Sequence, residues 1–330
     1  MQNWRLPAEW EEHRCCWLAF PSDRSLWGDY LEPAQQEFLA LAQAIGASER
    51  LEILVNNETD KQRIITALVN CNLRCHAIPY GDIWLRDTAP FFLVDEMGSQ
   101  QAACFAWNGW GNKYLLEHDD RVAAQIVQAL GIESVTYDWV LEGGAIEVDG
   151  TGLCLTTRQC LLNSNRNPTM DQIAIETALK SALGLTKILW LDRGLLNDHT
   201  DGHIDTIVRF FAPGKVLCME AQRCDDPNTE VLTEIRETLY QWQDQGVLKE
   251  VVCLPSPGLV VDDQGAIMPA SYLNFYISNT TVIVPTYDAP WDEAAVEVIA
   301  KCFPSRKTIG LSAKAILTGG GAFHCITKQQ

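Results

Sequence analysis

Five side chains of this 330-residue chain could carry out chemistry together: Asp87, Glu142, His203, Asp205 and Cys325. A guanidinium group is planar, cationic and rich in N–H donors, and carboxylates bind it through paired, charge-assisted hydrogen bonds. Two acidic residues could hold it while one face of its carbon stays open. That carbon is a poor electrophile, because its charge is spread over three nitrogens, and a thiolate is a nucleophile strong enough to attack it. Nitrogen must then leave as ammonia, and the covalent intermediate must be hydrolysed. A histidine held by carboxylates can give a proton in the first step and take one in the second. This chemistry requires no metal and no organic cofactor.

The elements that must position these residues follow a repeating pattern. Each polar residue stands at the entrance to a hairpin that is followed by an amphipathic helix and a further strand. Asp87, Glu142, His203, Asn274 and Cys325 form the series, at intervals of 51 to 71 residues. Paired apolar runs predict hairpins over 91–107, 145–156, 206–219 and 271–285, the second across Asp149-Gly150-Thr151-Gly152, a strong turn signal. Helical spacing of apolar residues predicts helices over 33–48, 59–69 and 119–130, with others around Ile175, Ile235 and Ile299. Thr169 with Gln172 reads as a capping box. Residues 16–21, 51–55 and 73–80 are predicted strands, and so are 134–140, 187–191, 250–254 and 308–311.

A pattern repeated at this length predicts a radial architecture with the entrance residues at its centre. No linker interrupts it, so residues 1–330 read as a single domain. The triplet Gly319-Gly320-Gly321 ahead of Cys325 allows the close backbone approach that a site at the chain's end would need.

Composition narrows the function further. With 43 acidic against 25 basic residues the formal charge is −18, which disfavours nucleic acid and suits a cationic ligand. No apolar run approaches the ~20 residues of a membrane span. Twelve cysteines, with no secretory signal in view and no Cys-x-x-Cys pair, read as the reduced thiols of a cytoplasmic protein.

At the same residues the chain resembles a known family, the agmatine deiminases with the related bacterial-type peptidylarginine deiminases. The matching pieces include Trp84-Leu85-Arg86-Asp87-Thr88-Ala89-Pro90, Trp110-Gly111-Asn112-Lys113-Tyr114 and Leu141-Glu142-Gly143-Gly144. Others are Asn163-Ser164-Asn165-Arg166-Asn167-Pro168, Thr200-Asp201-Gly202-His203-Ile204-Asp205, Ser271-Tyr272-Leu273-Asn274-Phe275-Tyr276 and the glycine-led Cys325. The match begins at Pro7-Ala8-Glu9-Trp10 and runs to the last residues.

The resemblance implies the pentein fold, a five-bladed α/β propeller. It also implies conversion of agmatine and water to N-carbamoylputrescine and ammonia, in polyamine biosynthesis. Cys325 would be the nucleophile, His203 the acid and base, and Asp87 and Asp205 the clamps on the guanidinium. Glu142 would support His203, Asn274 would line the site, and Trp84 and Trp110 would wall the pocket. The implied partner is a small cationic guanidine, with a homodimer left open.

Two positions depart from the family pattern. Ala89 stands where the family usually has glycine, and His199 stands where an acidic residue that receives the substrate's distal amine is expected. Asp198 or Asp201 could take that part.

Two rival readings have their own signatures. His199, His203 and Asp205 together resemble the ligand set of a metal-dependent amidohydrolase, although Thr200-Asp201-Gly202 reads as a turn and not as the helix that an i, i+4 pair needs. A propeller that binds ligands without catalysis would leave Cys325 unreactive.

Overall fold

Asp149 shows how the repeating unit is built. Its carboxylate accepts hydrogen bonds from the Thr151 and Leu153 amides (2.8 and 3.1 Å). Gly150 and Gly152 take positive φ, at +72° and +103°, where side chains with a Cβ are disfavoured. This turn joins β7 (Ile146–Val148) antiparallel to β8 (Leu153–Thr157). The chain then crosses through the helix Gln172–Leu183 and returns as β9 (Lys187–Leu191), parallel to β8.

A computed structural model of the chain describes residues 4–330, and in it this unit recurs. The strands β4 (Phe91–Val94), β5 (Gln100–Ala106) and β6 (Ser134–Val140) form one such sheet. A second contains β10 (Val208–Ala212), β11 (Lys215–Glu220) and β12 (Glu250–Pro255). A third contains β13 (Tyr276–Ile277), β14 (Thr281–Thr286) and β15 (Lys307–Ser312). In each, an antiparallel pair is extended by a parallel strand on the far side of a helix, a connection that parallel pairing requires.

The remaining sheet joins the two ends of the chain. It contains β1 (Cys15–Ala19), β2 (Arg50–Leu54) and β3 (Leu73–His76), all parallel, with β16 (Thr327–Gln329) added antiparallel to β1. β16 takes the place that β4, β7, β10 and β13 hold in the other sheets. The five sheets make a five-bladed α/β propeller, and the last strand of the chain completes the first blade.

The crossover helices bury one face each. Leu31–Gly46 turns Phe38, Leu41 and Ile45 inward, all fully buried, at about 1.5–3 kcal/mol for each side chain. Among the described residues no helix is long and apolar enough to cross a membrane. All twelve cysteines are free thiols.

Three local expectations are corrected. The helix after β8 is capped by Asp171, whose carboxylate accepts from the Ala174 amide at 2.9 Å, and not by Thr169. The strand expected over 73–80 ends at His76. The strand expected over 271–277 is reduced to its last two residues: Ser271 Oγ donates to Thr206 O (2.6 Å) and accepts from the Leu273 amide (3.0 Å), which folds the segment into a turn.

Candidate active site

Each entrance residue sits immediately ahead of the first strand of its sheet. Asp87 lies in the single turn Leu85–Thr88 before β4, and Glu142 precedes the turn Gly143–Ala145 before β7. His203 and Asp205 flank Ile204 at the turn before β10, Asn274 is two residues ahead of β13, and Cys325 is two ahead of β16. The structure brings them together. Asn274 Nδ2 lies 3.1 Å from Cys325 Sγ and 3.3 Å from Asp205 Oδ2, and Sγ is 3.6 Å from that same oxygen. His203 lies between two carboxylates, with Nδ1 3.9 Å from Asp87 Oδ2 and Nε2 4.0 Å from Glu142 Oε2.

Glycines make this convergence sterically feasible. A Cβ at Gly144 would lie 2.5 Å from His203 Nδ1, and one at Gly321 would lie 3.0 Å from Cys325 Sγ and 2.8 Å from the Trp84 ring. Asn274 Oδ1 accepts from the amides of Ala322 and Cys325 (3.1 and 3.2 Å), so one side chain holds both the thiol and the loop that carries it.

Asp87 and Cys325 lie on the wall of a cavity of about 470 Å³. Trp84 and Trp110 line it as well, and each also anchors a carboxylate: Trp84 Nε1 donates to Asp82 (2.7 Å) and Trp110 Nε1 to Asp87 (2.8 Å). His199 lies on the wall with its ring stacked on Tyr114 at 5.8 Å.

Asp198 and Asp201 are placed elsewhere. The carboxylate of Asp198 caps its own loop, accepting from Thr200 N (2.8 Å) and His203 N (3.1 Å). That of Asp201 is taken by Lys113, Asn165 and Arg166. The carboxylates on the wall besides Asp87 are Asp82, Asp262 and Asp263, and Asp263 meets the Tyr30 hydroxyl.

A model of the Porphyromonas-type peptidyl-arginine deiminase family matches residues 5–330. The chain belongs to this family. It is 35% identical to the agmatine deiminase of Pseudomonas aeruginosa (strain UCBPP-PA14), an alignment covering 99% of this chain and 95% of that one. The solved agmatine deiminase of Enterococcus faecalis superposes with a TM-score of 0.93 at 31% identity, covering 99% of this chain and 96% of the other. DDAH from Pseudomonas aeruginosa, at 10% identity and a TM-score of 0.52 over 97% of this chain and 100% of that one, shares the fold alone, the pentein propeller.

In this family member the electrostatics at the site are set by burial opposed to charge. Burial, then the negative charges of Asp205 and Asp87, push the Cys325 thiol well above its ordinary value. Burial alone would lower His203, but Asp87, the Cys160 thiol and Glu142 outweigh it and hold the imidazole well above its ordinary value. Asp205 is held below the usual carboxylate range: burial opposes this, but the hydrogen bond and charge of His324, then His203, prevail.

Several contributors went unassigned in the sequence. His324 Nδ1 lies in hydrogen-bond contact with Asp205 Oδ2 and its Nε2 with Glu9 Oε2, both at 2.7 Å. Arg209 Nη2 also reaches Glu9, at 2.8 Å. Arg166 Nε donates to Glu142 Oε1 at 3.0 Å, with both side chains fully buried. Adjacency to Cys325 and membership of the quoted motifs were the available signals for His324, Glu9 and Arg166. Among the described residues, the acidic, thiol and imidazole side chains grouped closely enough to hold a metal are Glu142, Cys160 and His203, with donor atoms within 4.8 Å of one another. His199 is not in that group, so the ligand set of the amidohydrolase reading is not assembled.

Proposed function

We propose that this chain is an agmatine deiminase, with Cys325 as nucleophile. One observation carries the reading: the buried polar atoms left without hydrogen-bond partners around the thiol include Asp205 Oδ1 and both ring nitrogens of His203. Guanidine hydrolysis would use each of them, and unsatisfied buried groups are costly enough to need a reason.

The guanidinium sits between Asp87 and Asp205 with Trp84 and Trp110 about it. Its positive charge reverses the field that keeps Cys325 protonated, and the thiol proton leaves to solvent as the cation binds. Sγ then bonds to the guanidinium carbon. His203, as imidazolium, gives its proton to a terminal nitrogen, and ammonia departs with the C–N electron pair, leaving a cationic thiouronium. Neutral His203 takes a proton from water as the oxygen bonds to carbon. The C–S bond breaks with its electrons returning to sulfur, and the hydroxyl proton is released as the carbonyl forms. Glu142, fixed by Arg166, and Asp87 stabilise the imidazolium before its proton is given and after the proton from water is taken.

The distal ammonium of agmatine would meet the acidic mouth, where Asp262 and Asp263 stand on the cavity wall. They take the part expected of Asp198 or Asp201. We also infer that the whole chain folds as one domain, because β16 pairs with β1 across its full length.

The test is ammonia release from agmatine, free arginine and an arginyl peptide. Agmatine is the expected substrate, and Cys325→Ser should abolish turnover with unchanged circular dichroism. Turnover by the serine variant would exclude the thiolate mechanism. Activity on the peptide but not on agmatine would move the substrate class.

A further inference from the structure

Outside the catalytic cavity, the blade formed by β10, β11 and β12 contains a second arrangement of thiols. Cys218 on β11 and Cys253 on β12 face each other in register on parallel strands, with Sγ atoms 3.6 Å apart. Neighbouring strands lie about 4.7–4.9 Å apart, inside the ~4.4–6.8 Å that a disulfide spans between Cα atoms. Cys218 is buried and Cys253 half-buried, so one sulfur is reachable and the other stands behind it.

The surroundings favour charge on the outer sulfur. The contact with Cys218 comes first, and the Tyr240 hydroxyl, 3.5 Å away, and Arg236 add to it. Against burial and Glu220 they bring the Cys253 thiol down to about 7. Cys15, Cys16, Cys71, Cys75, Cys104, Cys154, Cys160, Cys302 and Cys325 are all displaced upward, by burial first in every case. A proton held on Cys218 and an accessible thiolate on Cys253 are the two halves of a dithiol ready to oxidise.

We propose that Cys218 and Cys253 form a hydroperoxide-reactive pair that closes a cross-strand disulfide, leaving the catalytic Cys325 reduced. The Cys253 thiolate attacks the outer oxygen of the hydroperoxide and the O–O bond breaks. An alkoxide or hydroxide leaves and takes a proton from water, and Cys253 becomes a sulfenic acid. Cys218 then attacks the sulfenic sulfur. The S–O bond breaks, hydroxide leaves with the Cys218 proton as water, and the S–S bond forms. One hydroperoxide is reduced for each pair of thiols oxidised.

The experiment treats the full chain at pH 7 with one equivalent of hydrogen peroxide, blocks remaining thiols with N-ethylmaleimide and maps the peptides by mass. The peptides bearing Cys218 and Cys253 should appear joined, two hydrogens lighter, and both cysteines should lose maleimide labelling at least about tenfold faster than Cys325. The order follows from the Cys253 thiol being brought down and the Cys325 thiol pushed up, with the two sulfurs of the pair already 3.6 Å apart. In Cys218→Ser the reaction should stop at a sulfenic acid on Cys253, trapped by dimedone. In Cys253→Ser, Cys218 should stay alkylatable. The proposal is overturned if both residues remain labelled after the peroxide is consumed, if Cys325 oxidises first, or if wild type accumulates the sulfenic acid without the disulfide.

Discussion

Gly144→Ala tests how closely the site positions His203 and, to a smaller extent, Asp205. Gly144 is not at positive φ, so alanine suits its backbone and the penalty is one of space alone. The added Cβ would lie 2.5 Å from His203 Nδ1 and 3.0 Å from Asp205 Oδ2, where an ordinary contact begins at 3.4 Å. The imidazole must therefore retreat by about 0.9 Å, and displacements near 1 Å at a reacting group cost up to about 100-fold in rate. That is about 2.7 kcal/mol in the barrier, while overpacking costs about 1–3 kcal/mol in stability. Steady-state ammonia release with agmatine and a urea unfolding curve, measured on one preparation, separate the two effects. The expected result is a folded enzyme with kcat reduced about two orders of magnitude. An alanine variant with kcat within twofold of wild type and an unchanged unfolding midpoint would refute the assignment of His203 as acid and base.

Arg166→Ala strips the buried partner from Glu142 and should destabilise the fold by about 3–5 kcal/mol, read as a lower urea midpoint; Glu142→Gln in the same chain should restore part of it. His203 and Cys325 both have folded-state pKa values raised above their unfolded values. Their stabilisation is therefore complete below about pH 6.5 and about pH 8.5 respectively and is lost as pH rises through the higher folded values. Melting temperature should fall from pH 7 to pH 10, less steeply above pH 8.5 in Cys325→Ala. Replacing Asp262 and Asp263 by asparagine should raise KM for agmatine about fivefold with kcat unchanged, since exposed charge pairs contribute about 0.2–1 kcal/mol each. A guanidine with an uncharged tail should show no such rise.

Much of the fold could be read from local signals. The strands β6 and β9 fall on the expected bounds because alternation and turn residues mark both ends of each. The segment 271–277 misled because Tyr272, Leu273, Phe275, Tyr276 and Ile277 are all buried, and burial of a continuous apolar run does not distinguish a strand from a turn. Its bend is imposed by Thr206, 65 positions away in the chain. Thr169 lost the cap to Asp171 because the helix begins later than the motif suggests, at Gln172, and the nearer carboxylate reaches the Ala174 amide. The convergence of Asp87, Glu142, His203, Asn274 and Cys325 followed from the repeat, and Asp205 comes with it two residues after His203. The support given by Glu9 to His324 spans 315 positions and depends on how the first and last segments meet, which no local pattern records. The same limit applies to the proposed distal-amine site: the Asp198 carboxylate closes its own loop and that of Asp201 is taken by Lys113, Asn165 and Arg166, while Asp262 and Asp263 reach the cavity wall from a later segment of the chain.

The pairing of β16 with β1 also has a consequence for biosynthesis. Cys16 pairs with Gln329, so an early strand must wait for 313 further residues before its neighbour exists. At about 5–20 residues per second that delay is on the order of 15–60 s. Throughout it, one backbone edge of β1 is unmatched and open to association with other nascent chains. The segment that completes the first blade also carries Cys325, so the thiol proposed as nucleophile enters the chain only as the ring becomes able to close.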